Sequence, residues 1–312
     1  MGSREVAQGA QAPVKIDSAQ KRAGSSEDDG SFESKQELLL FRQKCIALFH
    51  DNFQSGIEGL RFLFSPCWDS KRSRITSFAC GEFDTPTSPG LFECCGLTGA
   101  VAQCEIDVMA LAAAARGVRE IRSHNELAFV TVPVHCETLA WAKTRAAYFA
   151  VLSQIEPSFL PFLSPRITGF RQGHSLYAAA PWLTEFRRYV RWTFVQLPQL
   201  KFDFSNVLAL GATGFGISIA ALRPNGSPPE VLRAQLEKFV NICARQTAIA
   251  CVNEVESLQD LHLLKSCGVW VISGPVIGQS SESPGSLQAA SFVPNWPDQL
   301  KKHAPLSSGI ST

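Results

Sequence analysis

Eight short apolar runs, punctuated by helical patterns and turns, constrain this chain more than any other feature. The runs are Leu60–Trp68, Ile75–Phe83, Leu127–Val132, Pro165–Phe170, Val190–Leu197, Phe215–Ala221, Ala248–Val252 and Val269–Ser273. Helical patterns separate all but the first two. They are Ile106–Arg122, Glu137–Gln154, Pro181–Arg188, Phe204–Leu210, Pro229–Arg245 and Ser257–Cys267. Repeated strand–helix alternation predicts an α/β chain with a mostly parallel sheet and helices outside it. Eight strands in about 220 residues fit a closed (β/α)8 TIM-like barrel better than an open sheet. The first two strands have only the charged turn Asp69–Arg74 between them, which predicts one antiparallel strand.

Composition agrees with a single sizeable core. The chain has 312 residues, 45% hydrophobic and 18% charged. Its formal net charge is +1, from 29 basic and 28 acidic residues, so no basic field argues for nucleic acid. No apolar run is long enough to span a membrane. The first residues are polar, so no export signal is expected and a cytoplasmic location is. The ten cysteines sit mostly in apolar runs, where reduced core thiols are expected rather than a disulfide framework or a zinc site.

Four segments are expected: a disordered stretch at 1–35, an amphipathic helix or linker at 36–57, the barrel at 58–280 and a tail at 281–312. The helix has two readings. Its Leu/Phe-rich face either caps the bottom of the barrel or mediates self-association.

Motifs of common chemistries are missing. His50, His124, His135, His174, His262 and His303 are scattered without metal-ligand spacing. His135 and Cys136 are adjacent, and neighbouring strand residues point to opposite faces, which argues against a dyad. Gly211–Gly216 has the wrong glycine order for a dinucleotide fingerprint and reads as a helix end with a tight strand entry. Cys94–Cys95 lies in a Gly/Pro/Phe-rich loop, and Asn225–Gly–Ser227 is followed by Pro228 and reads as a turn.

The passage from Thr247 to Pro275 reads as a strand, a capped helix, a Gly stop and a second strand. It resembles the closing motif of the Glu-Ala-Leu (EAL) domain family, the bacterial phosphodiesterases of cyclic di-GMP. That family has Ala-Glu-Gly-Val-Glu, a helix, then Gln-Gly-Tyr. Here Val255 and Glu256 match, Asn253 stands at the first acid, and Ser273-Gly274-Pro275 replaces the final triplet. Further likenesses are Phe64-Ser-Pro66 for the opening Tyr-Gln-Pro, Asp107-x-x-x-Leu111 for the Asp-x-x-x-Leu helix start, and Phe129–Pro133 for a Val-Asn-Val-Ser strand. The resemblance implies a modified barrel of EAL type over roughly 58–280, with one antiparallel strand.

The resemblance also implies metal-assisted hydrolysis by acids at strand ends, and those acids are replaced. The Glu-Ala-Leu glutamate falls on Phe78 or Ala79, the asparagine ligand on Thr131, and a glutamate on Arg166. The paired aspartates fall near Gln196, and the Lys-x-Asp strand on Phe215–Ser218. At about 4 Å and an effective dielectric of about 20, a guanidinium and a divalent ion repel by roughly 8 kcal/mol. No metal, no other cofactor and no enzymatic activity are therefore expected. The expected role is a catalytically inactive regulatory or protein-interaction module in bacterial cyclic di-GMP-related signalling, with an unnamed protein partner. The first alternative is a metal-free receptor for a cyclic dinucleotide or another phosphate ligand, and the second is a phosphodiesterase or a barrel enzyme with another chemistry. For that receptor the barrel-mouth residues are Arg166, Thr131, Asn253 and Glu256, although Arg166 also reads as a partner of Glu256 or a solvated cation. A homodimer is expected from the resemblance alone.

Overall fold

A computed structural model describes residues 35–55, 61–83, 99–171, 176–200, 211–223, 229–284 and 287. The expectations for residues 1–34, for 285, 286 and 288–312 of the C-terminal tail, for the Phe204–Leu210 helix, and for Cys94–Cys95, His174, Asn225 and His303 lie outside the described residues.

Eight strands close into a barrel in sequence order. They are β1 (Phe62–Asp69), β2 (Arg74–Phe83), β3 (Phe129–His135), β4 (Leu163–Thr168), β5 (Phe194–Leu197), β6 (Gly214–Ser218), β7 (Ile249–Asn253) and β8 (Val271–Ser273). β1 runs antiparallel to both its neighbours, β2 and β8, and every other pairing is parallel. The expected antiparallel strand is therefore the first. The β1–β2 register shifts twice, at Leu63/Phe64 and Cys67/Trp68, where Gly81 and Thr76 of β2 are the extra, unpaired residues. Phe64 also exchanges backbone hydrogen bonds with Ser281, beyond the last strand.

The described helices are α1 (Lys35–Ser55), α2 (Ala100–Ser123), α3 (Cys136–Ala140), α4 (Ala142–Leu152), α5 (Ala180–Phe186), α6 (Ile219–Leu222), α7 (Pro229–Arg245) and α8 (Leu258–Ser266). α2 begins six residues before the expected Ile106, because Ala102 and Cys104 extend its buried stripe. Ala112, Ala113, Ala114 and Ala115 are all buried, so small side chains let backbone pass close on several sides of α2. One expected helix is two. Trp141 takes extended backbone between α3 and α4, and the Thr144 hydroxyl donates to Thr138 O and Trp141 O across the break.

α1 does not cap the bottom of the barrel. It packs alongside α2 and α4, with Phe41, Cys45 and Phe49 buried. Lys44 meets Glu105 near the start of α2 at 2.6 Å, and Arg116, later in α2, donates to Asn52 O at 2.9 Å. The two helices therefore run side by side in one direction. Each buried Phe is worth about 1.5–3 kcal/mol relative to exposure, enough to hold α1 on the flank.

The described cysteines are free thiols. Seven are buried and Cys267 is half-buried. Burial pushes the Cys67 thiol up to about 11 and those of Cys80 and Cys243 up to about 12, so they stay protonated.

Candidate functional site

The strands alternate in an unusual way. In β3, Val130, Val132 and Val134 are fully buried under helices, while Phe129, Thr131, Pro133 and His135 on the lumen face are only partly buried. Barrels of this kind are normally filled by layers of bulky branched side chains. Here Ser77, Ala79, Ser164, Gly216 and Cys251 occupy lumen positions and leave a cavity of about 290 Å³. Phe129, Phe194, Ile249 and Val271, which line it, are the first residues of their strands, and Trp192 and Trp270 precede theirs. Asp69 ends the antiparallel β1 and so lies at the same end. The last residues of β3, β4 and β6 do not line the cavity. It therefore faces the N-terminal end of the barrel, away from the strand ends where such barrels carry their sites.

Three of the four expected site residues meet in this cavity: Thr131, Arg166 and Asn253. Glu256 does not. It lines a separate hollow of about 350 Å³ at the C-terminal end, with Ser65, Glu254, Gly274 and Ser280. The four residues therefore do not form one mouth site. Arg166 is the fourth of six residues in β4, so it projects into the lumen rather than over its rim. Its Nε is buried with no hydrogen-bond partner. It forms no ion pair among the described residues, so a pair with Glu256 does not describe it, and the residue as a whole is half-buried.

Asn253 is held on both sides. Its Nδ2 donates to Gln196 Oε1 at 2.9 Å, and Ser273 Oγ donates to its Oδ1 at 3.3 Å. Amide and hydroxyl groups thus bridge β5, β7 and β8 where the resemblance places acids. Thr131, Arg166, Gln196 and Asn253 supply neutral donors and one cation to that layer. This set does not fit a divalent ion, which needs several anionic oxygens. Among the described residues, no group of three or more His, Cys, Asp or Glu could hold a metal.

The C-terminal end is built differently. Glu254 has φ +63°, at the position where the resembled motif carries glycine. A left-handed non-glycine residue costs on the order of 1 kcal/mol and persists only where its surroundings hold it. Val255 is clasped by backbone bonds from its N–H to Ser273 O and from Val276 N–H to its O, both at 3.1 Å. Gly274 allows this: a Cβ there would lie 2.2 Å from Val255 N. The Ser218 hydroxyl donates to the Glu254 carboxylate. On the other side of the mouth, Arg171 reaches Glu137 at 3.4 Å, and His135 Nδ1 accepts from Glu137 N at 3.3 Å. Asp107 is buried beneath them. It accepts His135 N–H at 2.8 Å and Gln103 Nε2 at 3.0 Å, and burial pushes its carboxyl up to about 7. Burial also holds the His135 imidazole below its usual range.

Sequence reasoning singled out Arg166, Thr131 and Asn253 but missed the cavity that joins them. Trp192, Phe194 and Trp270 read as ordinary apolar strand residues, and nothing in the sequence marks them as a rim. Glu254 carried a signal, since it replaces a glycine in the resembled motif.

This geometry defines a closed eight-stranded α/β barrel with an antiparallel first strand, a small-residue lumen and a clasped C-terminal mouth. Its fold is that of an EAL domain. No family profile matches the sequence, and no curated protein does. Solved structures do match. The EAL domain of FimX from Xanthomonas citri, in complex with cyclic di-GMP, superposes with a TM-score of 0.58 at 11% identity, over 79% of this chain and 96% of that one. The EAL enzyme Bd1971, bound to cAMP and cyclic di-GMP, gives 0.57 at 11% identity over 82% and 69%. The PaMucR phosphodiesterase in complex with cyclic di-GMP gives 0.53 at 14% identity over 71% and 96%. At these identities the likeness is one of fold.

One expectation is corrected by these neighbours. The replaced acids led to a chain without enzymatic activity, yet two of the three structures are by name an enzyme and a phosphodiesterase. This fold is thus one that enzymes share, so the absence of activity does not follow from it, and the poor fit to a divalent ion bears on the metal alone. No helix among the described residues is long and apolar enough to cross a membrane.

Proposed function

We propose that this chain is a regulatory barrel of cyclic di-GMP-related signalling that takes a guanine nucleotide at its C-terminal mouth. One observation carries the reading: Glu254 is held at φ +63° in the β7 end, beside Glu256, around an open hollow. Non-glycine residues kept in sparsely populated backbone cluster at ligand-binding sites. A carboxylate accepts hydrogen bonds only, and the guanine N1–H and exocyclic amine are donors that match it. The mouth is thus suited to the base edge of the nucleotide. The neighbours named above with cyclic di-GMP bound support the choice of ligand.

The test is calorimetric titration with cyclic di-GMP, with and without Mg²⁺, on the full chain and on Glu256→Gln, with chromatography of the nucleotide afterwards. Expected is binding in both buffers, weakened at least tenfold in the variant. No binding in either buffer overturns the proposal, as does unchanged affinity in Glu256→Gln. Chromatography reads turnover separately from binding.

A second reading, self-association through α1, is favoured by Leu39 and Leu40, which are 52% and 56% exposed on a helix whose other face is buried. Light scattering of Leu39→Glu/Leu40→Glu tests it while keeping Phe41, Cys45 and Phe49 in place. A chain that is monomeric before and after substitution removes it.

A further inference from the structure

The cavity at the N-terminal end of the barrel is distinct from the mouth and has its own chemistry. Arg166 and Trp192 line it, and the buried Nε of the first and Nε1 of the second have no hydrogen-bond partner among the described residues. A buried donor left without an acceptor costs about 1–3 kcal/mol. The acid in the described wall, Asp69, is already engaged. It accepts Lys71 N–H and Arg72 N–H, both at 3.0 Å, and faces the Arg72 guanidinium at 3.4 Å.

The wall towards the opening is aromatic. Phe129 and Trp192 meet edge to face with centroids 6.0 Å apart, and Phe194 and Trp270 complete the rim. Lys71 Nζ lies 3.6 Å from the centroid of the Trp270 ring, so a cation stands at the entrance. An engineered apolar cavity of about 150 Å³ in another protein holds one benzene. At about 290 Å³, this cavity has room for two fused rings.

We infer that the N-terminal end of the barrel binds a small amphipathic anion, with a ring-sized apolar body against the aromatic rim and a carboxylate on Arg166. The guanidinium fork matches a carboxylate bidentately. Thr131 and Ser164 offer hydroxyls at the same depth, on paired positions of β3 and β4. A phosphate dianion fits less well, because Arg72, which also lines the cavity, already faces Asp69, and the apolar walls leave the second charge unmatched.

The experiment is calorimetric titration of the full chain with 2-naphthoate, with its neutral isostere 2-naphthamide as the control. Expected is saturable one-to-one binding of the carboxylate and at least tenfold weaker binding of the amide. Arg166→Met is expected to weaken the carboxylate at least tenfold while leaving cyclic di-GMP titration unchanged. No carboxylate binding up to millimolar concentration overturns the inference. Equal affinity for the amide does the same, as does unchanged affinity in Arg166→Met. The carboxylate–amide comparison uses the unaltered chain, so it decides the matter even where the variant fails to fold.

Discussion

Asn253 and Gln196 join hands across a strand that lies between theirs. The Asn253 Nδ2 donates to Gln196 Oε1 at 2.9 Å, from β7 to β5, over the bare backbone of Gly216 in β6. A Cβ at Gly216 would lie 2.4 Å from that oxygen. The missing side chain is therefore what permits the bridge.

Gly216→Ala should displace the Gln196 amide and leave Asn253 without its acceptor. The expected loss is about 0.5–1.5 kcal/mol, the net worth of one part-buried hydrogen bond. Urea unfolding measures it, and combining Gly216→Ala with Asn253→Ala should cost less than the sum of the two. Strict additivity would show that the amides do not act as a pair.

Asp107 makes stability depend on pH in a definite direction. Its carboxyl is raised from 3.8 to about 7 by burial, so between these values the folded chain holds a proton that the unfolded chain releases. The proton-linked contribution is fully present below about 4 and is lost as pH rises through about 7. Asp107→Asn keeps the shape and removes the titration. Relative to that variant, the unaltered chain should lose stability as pH rises from about 5 to about 7, with a slope of at most about 1.4 kcal/mol for each tenfold fall in proton concentration. A gap that stays constant over this range would mean that Asp107 is charged throughout.

The thiols should divide by burial. Among the described cysteines, Cys267 is the half-buried one, while Cys45, Cys67, Cys80, Cys104, Cys136, Cys243 and Cys251 are enclosed. Brief iodoacetamide treatment of the native chain, followed by peptide mass mapping, should mark Cys267 well ahead of these seven. Rapid modification of Cys67 or Cys251, which line the lumen cavity, would instead show that the cavity admits reagent freely.

Much of the barrel was legible because its signals are local. Apolar runs, the Ser257 cap that accepts from Asp260 N at 3.0 Å, and the Gly268 stop at φ +84° each act within a few residues. The antiparallel start was legible from the lack of a helix between β1 and β2. The break at Trp141 was not, because Cys136–Leu152 keeps a helical composition and the interruption rests on a local fold-back through Thr144. The flank position of α1 depends on its contacts with α2 and α4, far away in sequence. The depth of Arg166 was missed because a strand's direction is legible, but the volume of the side chains opposite it is not. A lumen lined by Ser, Ala, Gly and Cys emerges only once eight strands are placed around it.

The antiparallel entry of β1 also sets an order of events. Ser65 and Ser280 meet at 2.7 Å although they are 215 residues apart, and Phe64 is stitched to Ser281 beside them. Contacts of such separation form late, since the loop-closing cost precedes their reward. During synthesis, the hairpin of β1 and β2 therefore waits with one unpaired margin until β8 arrives. That seam is the last to shut on folding, and it is where a stalled or truncated chain would offer its edge to another.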